Sequence, residues 1–378
     1  MMNKYSSDIL IKLSVVLFIA QSTICIDASP LKKQTKSELL AVTLVMRHGD
    51  RSPMESFPND KHFNAKNFPL GAGQLTKPGI IRLYALGKWF RNQYKDFLSD
   101  AYKPSEILVR STDTDRSIMS ASTVLAGMYP PHGDQIWNNN LLWQPIPVYS
   151  ENKEKDDILV EKRPCKLRDQ LYNQAKSENY PLLKERHSDI FKQIANYSGY
   201  TNVSLYQVEV INNLRYVYTN FNKSFIPDWI KRLNFTELDH LGNTEYTLKT
   251  LTPTQARLQT GPFFYSLIEH FDKFSNKKDE QTPKFRIISA HDSTIINILD
   301  VMGAYDFRKI GFCDTIIYEF RKSKEGQFFI TIYLKQEDKL HPLTAHRCSV
   351  ECRWDDFKQK MSNVTIDIIN WKRECDSV

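Results

Sequence analysis

Glycine is scarce in this sequence, with 13 in 378 residues. That excludes collagen-like and low-complexity chains. Apart from one apolar stretch at its start there is no long hydrophobic run, which excludes a polytopic membrane protein. Basic residues cluster no further than short pairs such as Lys32-Lys33 and Lys277-Lys278. The net charge of +7 is therefore spread out, and no nucleic-acid-binding arm is expected. Internal repeats and Gly/Ser-rich linkers are also missing. What is present, 41% hydrophobic and 25% charged residues, can bury a sizeable core. The positive balance fits either an ordinary solvated surface or a site for anionic substrates.

Residues 1–25 read as a secretory signal. Lys4 and Lys12 flank a polar start, and the apolar stretch after it, residues 13–20, is too short to span a bilayer. Cleavage fits after Cys25 or after Ala28. Five Asn-x-Ser/Thr sequons, at Asn196, Asn202, Asn222, Asn234 and Asn363, predict glycosylation in an exporting compartment. Five cysteines remain beyond the signal, and an odd number implies a free thiol or an intermolecular bond. Cys348 and Cys352 are close enough for a small-loop disulfide. With His341 and His346 they match no common zinc spacing, so no metal and no cofactor are expected.

Three apolar runs share one design. Residues 41–46 lead into Arg47-His48-Gly49-Asp50-Arg51, residues 106–109 into Arg110, and residues 285–290 into His291-Asp292. Runs without alternation predict strands buried on both faces of a parallel sheet. Helical patterns follow the second and third runs, at residues 113–128 and 294–302, and residues 80–98 and 254–274 read as further helices. Residues 316–320 and 328–334 read as a hairpin at one sheet edge. The predicted fold class is α/β: a mainly parallel central sheet flanked by helices, with a second, mostly helical subdomain inserted. The α/β part covers residues 26–143 and 252–378, and the helical cap covers 144–251. Ligands of such sheets sit at the carboxyl ends of the strands, where all three polar motifs lie.

Two arginines around one histidine at a buried strand end are costly unless an anion completes the site. Arg110 and His291-Asp292 are placed at corresponding strand ends, so they join the same candidate anion site. A neutral imidazole is a competent nucleophile toward phosphorus. Fixed guanidinium donors stabilise the charge that builds on the phosphoryl oxygens. Asp292, the only carboxylic acid in its motif, is the candidate proton donor. Asp50 and Asp113 read as arginine partners or turn caps.

On these residues the sequence resembles the histidine acid phosphatase family of the phosphoglycerate mutase-like superfamily, including prostatic, lysosomal and insect venom and salivary members. The family motif Arg-His-Gly-x-Arg-x-Pro is matched by Arg47, His48, Gly49, Arg51 and Pro53. Its His-Asp signature is matched by His291-Asp292, and residues 109–116 also resemble it. The resemblance spans roughly residues 39–375. It implies that His48 rather than His291 becomes phosphorylated. It further implies that Arg47, Arg51, Arg110 and His291 bind phosphate, that Asp292 protonates the leaving group, and that no metal takes part. It also implies Cys348–Cys352 and Cys165–Cys375 disulfides. One end of a third family bridge falls on Cys313, but no cysteine stands near Tyr218 or Thr219 to pair with it, so Cys313 is predicted free.

The expected protein is thus a secreted acid phosphatase for small phosphomonoesters, with the lysosome as a second destination. No membrane anchor is expected. A homodimer is a candidate assembly, with Trp137 and Trp143 as interface or core residues. The alternative is a secreted small-ligand-binding protein on the same fold with little or no catalysis, which a His48→Ala assay separates from the enzyme.

Overall fold

The computed structural model describes residues 37–275 and 281–377. The predicted signal at 1–25 lies outside the described residues. Strand β1, Glu38–Arg47, is buried from Ala41 onward, as its unbroken apolar run requires. The other strands are β2, Ile107–Thr112, β3, Tyr149–Glu151, β4, Phe285–Ala290, β5, Thr315–Lys322, β6, Phe328–Gln336, β7, Lys339–Leu343, and β8, Glu351–Arg353.

The sheet order is β3-β2-β4-β1-β5-β6-β7, with β8 also pairing with β6. The block β3-β2-β4-β1 is parallel, and β5 to β8 add to it by antiparallel pairs. The protein is therefore mixed α/β with a parallel centre flanked by helices. The predicted hairpin exists as β5–β6, but it is not the edge. β7 and β8 cover β6, whose middle six residues are buried. β7 was not legible because it is short, polar and carries Pro342, a residue that argues against a ladder position.

Helix boundaries follow capping chemistry. Thr76 caps the helix Lys77–Gln93 by accepting from the Gly79 N–H, and a proline in the first turn suits its start. The long helical pattern after residue 166 breaks at His187 into Lys166–Arg186 and Ser188–Ser198. Helices Leu205–Phe221 and Phe235–Thr247 follow, and then Pro253–Ser275 packs beside the sheet.

Both expected disulfides are present: Cys165–Cys375 ties two segments 210 residues apart, and Cys348–Cys352 closes a small loop. Cys313 is unpaired and buried in the same apolar cluster as Tyr218. All five sequon asparagines are exposed. Among the described residues no helix is long and apolar enough to cross a membrane, and no three His, Cys, Asp or Glu side chains group as metal ligands.

Candidate active site

Register decides which side chains meet. Arg47 of β1 lies opposite Ala290 of β4, so His48 and His291 both follow directly at the carboxyl end. The His48 N–H donates to the Ala290 carbonyl at 3.0 Å, which carries the pairing one residue beyond the strand. The two imidazole centroids are 5.4 Å apart. Gly49 donates its N–H to Ser120 Oγ at 3.0 Å. A side chain at Gly79 would run into the Asp50 backbone, so glycine there lets the capped helix pack under the loop.

His48 Nδ1 is 2.9 Å from the Gly49 carbonyl. A carbonyl only accepts, so Nδ1 carries the proton and Nε2 keeps its lone pair. Burial first, then Arg47, His291, Arg116 and Arg51, hold the His48 pKa well below that of a free imidazole. The ring therefore stays neutral further into the acid range than a free imidazole does. His291 accepts from Arg116 at Nδ1 (3.3 Å) and meets Thr112 Oγ1 at Nε2 (3.1 Å), which assigns the opposite tautomer. Burial and the neighbouring arginines lower its pKa to about 3.

Arg47 is fully buried. Its guanidinium lies 2.6 Å from Asp292 and 4.4 Å over the Phe312 ring. Burial pushes the Asp292 carboxyl up, but Arg47, Lys309 and Arg51 outweigh it, and the group is held below the usual carboxylate range. Asp50 pairs with Arg82 at 3.3 Å, as an arginine partner, while Asp113 faces the cavity.

His48, Arg51, His291 and Asp292 line one cavity of about 570 Å³. Arg110 does not. Its register partner in β4 is Ile288, which also faces Val45 of β1. Arg110 is thus level with Val45, two residues or about 7 Å short of the strand ends. It pairs with Asp156 at 2.9 Å instead. The second guanidinium lining the cavity, beside Arg51, belongs to Arg116, in the first turn of the helix Asp115–Met128. Geometry thus puts Arg116, and not the predicted Arg110, in the cavity wall. The sequence signal for it was the helix start just after the strand, where the first-turn residues of an α/β unit face the ligand.

The Nε atoms of Arg47, Arg51 and Arg116 are buried with no hydrogen-bond acceptor among the described residues. Burial lowers the pKa of Arg51 to about 10, so it stays charged. Three cations with unused donors beside a neutral histidine suit a tetrahedral oxyanion. The outer walls come from residues 153–162 and from the helix Leu205–Phe221, with Glu209, Tyr246 and Lys249 among lining residues that no motif pointed to.

The neutral histidines predict a stability profile. In the unfolded chain they bind protons near pH 6.5, whereas His291 and His270 in the fold resist until about pH 3. Stability is full above pH 6.5 and is lost progressively as pH falls from 6.5 toward 3. Asp50, Asp314 and Glu209, whose pKa values burial raises, offset part of this. Scanning calorimetry should show Tm at pH 4.5 on the order of 5–10 °C below that at pH 7.5. Inorganic phosphate should recover part of the loss by binding only the folded state.

Residues 38–319 match the sequence profile of the "Histidine phosphatase superfamily (branch 2)". Prostatic acid phosphatase of Bos taurus is 31% identical over 351 residues, 89% of this chain and 88% of that protein. Lysosomal acid phosphatase of Homo sapiens is 31% identical over 344 residues, 88% of this chain and 79% of that protein. Among solved structures, Hafnia alvei phytase in complex with tartrate superposes with a TM-score of 0.70 at 13% identity, covering 89% of this chain and 99% of that one.

Proposed function

The chain belongs to the histidine phosphatase superfamily (branch 2), and we propose that within it this protein is a secreted acid phosphatase acting on small phosphomonoesters through a phosphohistidine at His48. The observation that carries this reading is the tautomer of His48: Nδ1–H is held by the Gly49 carbonyl, so Nε2 is the free lone pair beside Arg51 and Arg116.

The substrate's phosphoryl oxygens take the unused donors of Arg47, Arg51 and Arg116. Nε2 attacks phosphorus, the bond to the ester oxygen breaks, and Asp292 gives that oxygen a proton. Water then attacks phosphorus while Asp292 takes a proton from it, the N–P bond breaks with its electron pair returning to Nε2, and phosphate leaves. Without substrate, Asp292 is held ionised by Arg47 on one oxygen and by the Ser293 backbone N–H on the other. A bound phosphoryl anion competes for Arg47 and repels the carboxylate, which raises the pKa of Asp292. Protonation therefore accompanies substrate binding, and an acidic optimum follows. The test is hydrolysis of p-nitrophenyl phosphate. Turnover should be faster near pH 5 than at pH 7.5, and no turnover between pH 4 and 7 would end this reading.

Glycosylation at the five exposed asparagines and export are part of the proposal. The helices between residues 166 and 247 act as the cap whose cavity face selects the leaving group. Trp137 and Trp143 are 58% and 41% exposed, which favours an interface role over a core role and supports a homodimer.

A further inference from the structure

One carboxylate in the cavity has no part in the phosphate chemistry. The helix Leu205–Phe221 turns one stripe into the cavity, and Glu209 lies on it with Tyr206, Val210 and Asn213. Glu209 Oε1 accepts from the Tyr246 hydroxyl at 2.7 Å and also from the Asn213 amide. Asn213 in turn accepts from Arg51 through its Oδ1 at 3.4 Å. Both donors fall on one oxygen. Oε2 has no donor, and Glu209 no ion-pair partner within 4 Å, among the described residues.

No cation is in direct contact with Glu209 among the described residues, although Lys309 and Arg51 act on it from a distance. Its electrostatic neighbours are Asp292, Lys309 and Arg51, whereas Lys249 is coupled to Glu161, Lys162 and Glu245. Lys249 thus answers chiefly to other carboxylates. Placing a second anionic group next to Glu209 would set like charges together in a medium of low dielectric. A neutral alkyl group would leave Oε2 unpaired and desolvated. A primary ammonium satisfies both demands, since it carries the opposite charge and donates hydrogen bonds. Tyr206 adds an aromatic face that tolerates a cation, as the Tyr246 ring already does for the Lys249 ammonium 5.6 Å from its centroid.

We infer that Glu209 is a specificity-determining residue that receives an ammonium group on the leaving alcohol, so that the preferred substrates are phosphomonoesters of small amino alcohols. This rests on the phosphatase reading above and narrows its substrate class.

The test compares 2-aminoethyl phosphate with propyl phosphate, which is similar in size and lacks the charge. In the full-length wild-type protein kcat/KM should favour the amino ester by roughly tenfold or more, the effect of one charge-assisted hydrogen bond. In Glu209→Gln the ratio should fall to about one, because Gln keeps the shape but not the charge. Each enzyme supplies its own ratio, so losses in folding or in phosphate binding cancel. A ratio near one in the wild type, which needs no variant, overturns the inference, as does an unchanged ratio in Glu209→Gln. If p-nitrophenyl phosphate is turned over while the ratio is one, only this inference fails. If the wild type turns over none of the three esters, the phosphatase reading itself fails, and this one with it.

Discussion

His48→Ala should lower kcat on p-nitrophenyl phosphate by about four orders of magnitude or more, with a far smaller change in phosphate affinity. The reasoning is chemical. Removing the imidazole removes the atom that bonds to phosphorus, while Arg47, Arg51 and Arg116 still hold the oxyanion. The residual rate is then what positioning and charge alone supply. His48→Asn is the sharper variant, since an amide N–H can replace Nδ1–H toward the Gly49 carbonyl without offering a nucleophile. A loss of only tenfold in stopped-assay kinetics would mean that water attacks the ester directly and that His48 merely orients it.

Arg116→Ala should lower kcat/KM by roughly two to three orders of magnitude, the usual effect of losing a preorganised donor to a developing oxyanion. Arg110→Ala should change it by no more than about fivefold, because its charge meets Asp156 rather than the cavity. Two features make Arg116 the larger loss. It charges the cavity directly, and it fixes the His291 ring through the bond to Nδ1. Arg110 acts only on the Asp156 loop, where Asp156 Oδ1 also accepts the backbone N–H groups of Ile158 and Leu159 at 2.8 Å each. That loop keeps two of its ties when Arg110 is gone. Steady-state kinetics of both variants decide the matter. A larger loss in Arg110→Ala than in Arg116→Ala would restore the assignment that the sequence suggested.

That pair of arginines also marks where the sequence was and was not legible. The runs at 41–46 and 285–290 are continuous, so burial on both faces could be read from them, and the motifs after them fall where the strands end. The run at 106–109 ends in apolar residues too, but β2 continues through Arg110, Ser111 and Thr112. In β2 these three polar residues are themselves the end of the strand. Reading Arg110 as the strand terminus therefore placed it two residues too far along. Sequence carries the alternation within a strand but not its stagger against neighbours, which hydrogen-bond register sets.

The helical segment was harder for a related reason. Its amphipathic stripes could be recognised as helical, but which stripe faces the cavity depends on packing between elements distant in sequence. Glu209 and Tyr246 belong to different helices, and only the fold brings them to 2.7 Å. The break at His187 was hidden because Leu183 and Ile190, seven residues apart, keep the apolar spacing across it. Counting left one cysteine over, and the family resemblance identified it as Cys313, since no second cysteine stood near Tyr218 to complete the third bridge.

The most direct test of the account is to trap the covalent intermediate. The wild-type protein is mixed briefly with a labelled phosphomonoester, quenched in alkali, digested and mapped by mass spectrometry. A phosphoryl group on the peptide containing His48, stable to base, lost in acid and absent from His48→Ala, is the predicted result. Label on His291 or on a hydroxyl or carboxyl side chain, or steady turnover with no label on the protein, would contradict it.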